Sequence, residues 1–242
     1  VREIACVGPA RTLQIGELGD PSAPAIALSA GVHGDEPAGP WALVSLVSAG
    51  LLDARFAYRI WPCTNPTGYA AGTRCNAGGD DVNRSFSRGG TTPESRAIIT
   101  SNRDRRFVLS VDVHEDHEAD GFYCYAGGPA AAQLGAAIAG AIVEAGFPLQ
   151  NFADFDFGEP GGGNPKRLRA GGVVVMAPDE GRYFDGLSLN LHMMRRAAEH
   201  VVTLETPRKR PWDDRIAMHR VALVAALDYV ASALVSATNG TV

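Results

Sequence analysis

Two runs constrain the fold most, AIALSAG at 25–31 and FVLSVDVH at 107–114. Each is short, mostly apolar and bounded by turn-forming residues, so each reads as a strand buried inside a sheet. A strand of that kind needs cover on both faces, which calls for helices. Helical patterns occur at 37–49, where Pro37 sits in the first turn and Gly50 stops the helix, and at 92–103, where Thr92 and Pro93 open one. Others run over 130–146 and from about 211 onward. Between them IACVG (4–8), FAYRIWP (56–62), GFYCYAG (121–127), GGVVVMAP (171–178) and HVVTLETP (200–207) read as further strands. Strands alternating with helices predict one α/β domain over 1–242, with a mixed, largely parallel central sheet flanked by helices. Residues 63–91 carry no period and read as one long Gly-, Asn- and Asp-rich loop, a length that usually signals function. The glycine-rich stretch at 152–167 is predicted to be a mobile loop.

Composition excludes several classes. The chain has 22 Lys and Arg against 27 Asp and Glu, a formal charge of −5, and its basic clusters RDRR (103–106) and RKR (208–210) are short. They read as solvated surface, so no nucleic-acid partner is expected. No run reaches the roughly 18 uninterrupted apolar residues of a membrane span. The stretch 219–237 is broken by Asp228 and reads as an amphipathic helix, so no membrane partner is expected either. VREIACVGPA lacks the pattern of a signal peptide, which leaves open what precedes Val1. Cys6, Cys63, Cys75 and Cys124 form no C-x-x-C pair. They read as free thiols in a reducing, cytoplasmic setting, with a Cys63–Cys75 bridge as the alternative.

The polar residues that interrupt this pattern gather at strand ends, where open α/β sheets bind ligands. In GVHGDEPAG (31–39), His33 and Glu36 lie three apart at a strand-to-helix junction, with small residues that permit close backbone approach. Alone, this is a turn or half of a metal site. His114 closes FVLSVDVH beside Asp112 and Glu115, either of which could fix the tautomer of a ligating imidazole. His117, inside the acidic run EDHEAD, competes for the role, and His192, His200 and His219 read as surface or packing residues. Two histidines and a carboxylate are a common hydrolytic zinc set. On the loop, Asn83 and Arg84 in GDDVNRSF could grip a carboxylate, and Arg74 could stabilise an oxyanion. Each could equally be a solvated loop residue. Glu205, at the end of VVTLETP, is placed to move a proton.

Taken in order, HGDE, NPTGY, DVNRSF, VDVH and TLETP resemble the zinc carboxypeptidase superfamily, which includes succinylglutamate desuccinylase and aspartoacylase. The resemblance runs from about residue 25 to the C-terminal helix. It implies a carboxypeptidase-like fold of the phosphorylase/hydrolase-like type and one zinc ion held by His33, Glu36 and His114. It also implies Glu205 as general base and acid, Arg74 as the carbonyl-polarising arginine, and Asn83 with Arg84 on the substrate carboxylate. Tyr183, in EGRYFDG, is the best-placed match to the mobile-loop tyrosine of the peptidase branch. Ser87 stands where many peptidase members carry proline, and the short Glu36–His114 gap is more like the deacylases or small bacterial peptidases than digestive carboxypeptidases.

The resulting expectation is a zinc metallocarboxypeptidase that cleaves an amide beside a free carboxylate, acting on short or cell-wall-type peptides. An N-acyl amino-acid deacylase is the alternative, and a non-catalytic carboxylate-binding domain the third reading. The partner expected is thus a small peptide or N-acyl amino acid with a free carboxylate; the oligomeric state is left open.

Overall fold

The computed structural model describes residues 2–8, 11–87, 89–153, 168–177 and 186–239. The 154–167 segment and Tyr183 lie outside them, so the mobile-loop expectation and the tyrosine assignment meet no structural description.

A mixed sheet organises the chain. In chain order its strands are β1 (Arg2–Gly8), β2 (Arg11–Leu18), β3 (Ala25–Ala30), β4 (Ala57–Trp61), β5 (Phe107–Asp116), β6 (Tyr123–Gly127), β7 (Leu168–Ala170), β8 (Val173–Val175) and β9 (Ala198–Pro207). Their spatial order is β1-β2-β4-β3-β5-β9-β6-β8-β7. The first half of β2 pairs with β1 as a hairpin, and its last three residues join β4, so eight strands make the main sheet. The parallel character is confined to the centre, β4-β3-β5-β9, and to the β6–β8 pair. The β2–β4, β6–β9 and β7–β8 pairs are antiparallel. The sheet is therefore mixed with a parallel centre, as the sequence pattern implied.

Among the described residues the helices are α1 (Ala38–Ser48), α2 (Pro66–Ala71), α3 (Pro93–Ser101), α4 (Ala131–Glu144), α5 (Leu189–Arg196) and α6 (Trp212–Asn239), with a 3₁₀ turn at Val82–Arg84. Helices α1, α4 and α6 cover one face. There Leu43 and Leu46 of α1, Leu134 and Ile138 of α4, and Leu223 and Leu227 of α6 join Leu28, Val111 and Leu204 in one core. Fully burying each such aliphatic side chain contributes about 1.5–3 kcal/mol. Helix α6 holds a stretch, Trp212–Ser236, of mean hydropathy 1.4, long and apolar enough to cross a membrane by length and composition. In this fold its residues Met218, Ala222, Leu223, Ala226, Leu227 and Val230 lie in the core.

The opposite face is different in kind. Along β5 the residues alternate, Leu109, Val111 and Val113 entering the core just described while Ser110, Asp112 and His114 face the other side, all of them buried. Helix α5 closes over this polar row. Asn190 accepts from Ser110 Oγ (2.9 Å) and donates to the Val202 carbonyl (2.7 Å) and to Thr203 Oγ1 (3.0 Å), so the row is hydrogen-bonded where it meets the helix.

Several expectations need correction. The 63–91 segment is not one loop, since α2 and the 3₁₀ turn lie within it. Asn65 starts α2 by accepting from Gly68 N (2.9 Å), with Pro66 in the first turn. Strand β2 was not anticipated, although Leu13 and Ile15 alternate with polar neighbours and are buried. Strand β5 continues two residues past His114. Cys63 and Cys75 are both free, so the alternative bridge is not formed, and Cys124 is free as well.

Candidate metal and catalytic site

The site lies where β3, β5 and β9 end, with the β3–α1 loop folded over them. That loop is anchored by Thr64 N to the Ala30 carbonyl (2.8 Å) and Asn65 N to the Gly31 carbonyl (2.9 Å). Gly31 has φ +64, and a Cβ on Gly34 would lie 2.0 Å from the Gly68 carbonyl carbon. The turn therefore packs against α2 more closely than any side chain allows. The consequence is that His33 and Glu36 are directed inward, and both are buried.

His33, Glu36 and His114 each bring a ligand atom to within 4.8 Å of the others. His33 Nδ1 lies 2.6 Å from Glu36 Oε1, and His114 Nδ1 lies 2.9 Å from Glu36 Oε2. The two imidazoles meet edge to face, with centroids 4.9 Å apart. Each far nitrogen faces a carboxylate. His114 Nε2 is 3.0 Å from Asp112 Oδ2, and Asp112 Oδ1 accepts from Ser29 Oγ at 2.6 Å. His33 Nε2 lies 3.4 Å from Asp81 Oδ1. Both Nδ1 atoms thus point at the shared carboxylate, while Asp112 orients the His114 ring from behind and Asp81 lies near the far nitrogen of His33. That donor set fits one zinc ion of the two-histidine, one-carboxylate kind.

Electrostatics follow from this crowding in the metal-free protein. Burial pushes the Glu36 carboxyl up, but His33 and His114 outweigh it and hold it well below the usual carboxylate range. Burial works against the charged form of His114, yet Asp112 and Glu36 raise it well above its ordinary value. Burial likewise opposes the Asp81 carboxylate, and His33, Arg74 and Arg84 hold it ionised. Glu205 behaves oppositely. Burial raises it, His114 pulls it down, and Glu36, Asp116 and Asp112 push it well above the carboxylate range. A cation among the three ligands would counter that rise.

The fold brings the sequence-predicted residues together to differing degrees. Glu205 is the register partner of His114 across the parallel β5–β9 pair, so the two side chains share a face. Arg74 reaches in from the loop, with Nη1 3.3 Å from His33 Nδ1 and 4.0 Å from Glu36 Oε1, and its guanidinium held by Asp81 (2.9 and 3.1 Å). Arg84 is exposed, acts electrostatically on the same Asp81, and donates from Nη1 to the Asn83 carbonyl at 3.1 Å. Asn83 is buried, and its side-chain oxygen accepts from Leu189 N at 3.0 Å. It ties the loop to the start of α5, so only its amide nitrogen is left for a substrate. His117 is exposed beside Glu118, away from the cluster. His219, expected to be an ordinary packing residue, is fully buried with Nε2 2.9 Å from Thr206 Oγ1.

The residues that hold the candidate ligands were less legible in the sequence. Asp81 was quoted only as part of a motif, although an aspartate preceding a short turn is a capping signal, and its Oδ1 does accept from Asn83 N at 2.8 Å. Asn65 cross-links the turn, donating from Nδ2 to the carbonyls of Val32 (3.4 Å) and Arg74 (3.2 Å). Ser29, Asn190 and Arg215 carried no local signal at all.

Comparison with known proteins finds the same fold in solved structures. The fold overlays that of a "putative metallopeptidase" from Shewanella amazonensis SB2B with a TM-score of 0.75 and 25% identity, over 94% of this chain and 85% of that one. A metallo-carboxypeptidase from Burkholderia cenocepacia shares it at a TM-score of 0.64 and 19% identity, over 92% of this chain and 62% of the other. So does a succinylglutamatedesuccinylase/aspartoacylase from Rhodobacter sphaeroides, at 0.60 and 20% identity, over 90% and 59%. The fold is that of these metallopeptidase- and carboxypeptidase-like structures, in agreement with the resemblance carried by the ordered motifs. Within it, residues 22–123 match the Succinylglutamate desuccinylase/Aspartoacylase catalytic domain. No curated protein sequence matches the chain.

Proposed function

We propose that the protein is a zinc-dependent hydrolase that cleaves an amide bond next to a free carboxylate, acting as a metallocarboxypeptidase on short or cell-wall-type peptides. The observation that carries this is the convergence of His33, Glu36 and His114, with Glu205 in register beside His114. Zinc, when bound by these three, supplies Lewis-acid polarisation of the scissile carbonyl and lowers the pKa of water toward about 7.

The chain's own residues do the rest. Glu205 accepts a proton on its carboxylate and returns it to the leaving amine. The half-exposed Arg74 guanidinium, beside His33, stabilises charge that develops on the carbonyl oxygen. Arg84 pairs with the substrate's free carboxylate, with the Asn83 amide as a second donor. Burial of the ligand cluster keeps bulk water from screening these contacts. The free Cys63, Cys75 and Cys124 support a reducing, cytoplasmic setting.

The second reading, an N-acyl amino-acid deacylase, is favoured by the family match over residues 22–123. The deciding experiment sets C-terminally free peptides against N-acyl amino acids, with and without chelator. Chelator-sensitive peptide cleavage is the expected result. Cleavage of acyl amino acids alone would reverse the order of the two readings, and no chelator-sensitive turnover of either class would remove both.

A further inference from the structure

The Glu36 carboxylate has four polar neighbours among the described residues. Two are the ligand histidines themselves, and a third is Arg74, 4.0 Å away and nearly half exposed. The fourth is the backbone N–H of Glu115, which donates to Glu36 Oε2 at 3.1 Å. Of the short contacts to Glu36, this alone comes from a residue outside the ligand set.

The side chain of Glu115 reaches the same segment from another direction. Its Oε2 accepts from Ala38 N at 2.8 Å, two residues beyond Glu36 and at the first position of α1. Pro37, at the N-cap of helix α1, offers no side-chain cap, and the first turn holds no acidic residue. Glu115 therefore supplies from β5 the negative charge and the acceptor that a helix start ordinarily receives from its own sequence. A buried carboxylate needs a partner of its own. Arg215 of α6 provides it, donating from Nη1 to Glu115 Oε1 at 2.6 Å while packing its guanidinium 4.9 Å from the Trp212 ring centre. Strand, helix start and C-terminal helix thus meet at one side chain.

We infer that Glu115, neutralised by Arg215, is a positioning residue for the metal ligand Glu36: its amide holds the ligand's carboxylate and its side chain holds the helix start that carries the ligand. The inference rests on the reading of Glu36 as a ligand. Groups of this kind around metal sites change affinity by about 10–100-fold when removed.

The test uses the full chain and zinc itself. Zinc affinity is measured by competition with a chromophoric chelator, and the visible bands of the cobalt-substituted protein report ligand geometry. Thermal unfolding of the metal-free protein identifies folded variants. Glu115→Gln should keep one zinc per chain, bind it about 10–100-fold more weakly and shift the cobalt bands. Arg215→Lys keeps a cation beside Glu115 without the guanidinium's reach. It should weaken zinc binding by a smaller factor and shift the same bands, and it reads the proposal even where Glu115→Gln folds poorly. Wild-type affinity and unchanged bands in the folded variants would overturn the positioning role. Glu36→Gln separates the two ideas. If it loses zinc while both other variants keep wild-type affinity, only the positioning role fails. If it also binds zinc as the wild type does, the ligand reading fails first.

Discussion

Replacing Asp112 by asparagine tests how the site handles protons. Both nitrogens of His114 lie against carboxylate oxygens, Glu36 Oε2 at 2.9 Å and Asp112 Oδ2 at 3.0 Å, which favours the imidazolium with both nitrogens donating in the metal-free protein. An ion bound at Nδ1 must displace a proton, and binding near neutral pH should release about one from this ring. The sign follows from the raised His114 value. Zinc affinity climbs with pH until that value is passed and is level above it. Asparagine fits in place of Asp112, because its oxygen can keep the His114 contact. Its amide then faces Ser29, whose hydroxyl can turn to the Val111 carbonyl 3.3 Å away. Losing the carboxylate lowers ring basicity, so affinity at high pH should fall about 10–100-fold, or about 1.4–2.8 kcal/mol. At lower pH the gap should narrow, since the variant has less of a proton to expel. Calorimetric zinc titrations in buffers of different ionisation enthalpy measure both quantities. Equal proton release and equal affinity in the two proteins across the pH range would refute the argument.

Three other perturbations probe separate parts of the molecule. Glu205→Gln should retain one zinc per chain yet lose about 10²–10⁴-fold in turnover, read from steady-state rates beside metal analysis. His219 is pushed by burial down to about 3, below its ordinary 6.5, so between those values the unfolded chain binds a proton that the folded one does not. Stability should therefore fall on acidification by about 1.4 kcal/mol per pH unit from this residue, and urea unfolding of His219→Gln should show a shallower pH slope. Gly34→Ala places a methyl within 2.0–2.2 Å of the Gly68 and Tyr69 backbone and should cost about 1–3 kcal/mol or more in denaturant unfolding, together with zinc affinity.

Much of the architecture was legible because β3, β5 and β9 are apolar on the face that meets α1, α4 and α6. The candidate ligands were legible because His33, Glu36 and His114 interrupt those runs at their ends. What escaped has a physical reason. The alternation of Leu109, Val111 and Val113 with Ser110, Asp112 and His114 marks a buried strand but does not show what pairs with its polar row. Here both faces are buried, and the polar row is satisfied by Asn190 and Ser29, residues distant in sequence. Helix α1 has no capping residue of its own because Glu115, 77 positions away from Ala38, serves the purpose. The same distance hides Arg215, 100 positions from its carboxylate. Strand β2 was missed for a simpler cause, since Gly16 breaks an alternation only a few residues long.

The pairing of His114 with Glu205 across β5 and β9 carries one more implication. The spacing between a ligand and the residue proposed to move protons is set by neighbouring rungs of a buried ladder, where loops have no influence. Sliding β9 by one residue would turn Glu205 to the opposite face and drive Leu204 or Thr206 into its place. Partial displacement is thus excluded, and the surrounding loops can change in length and sequence without altering this distance.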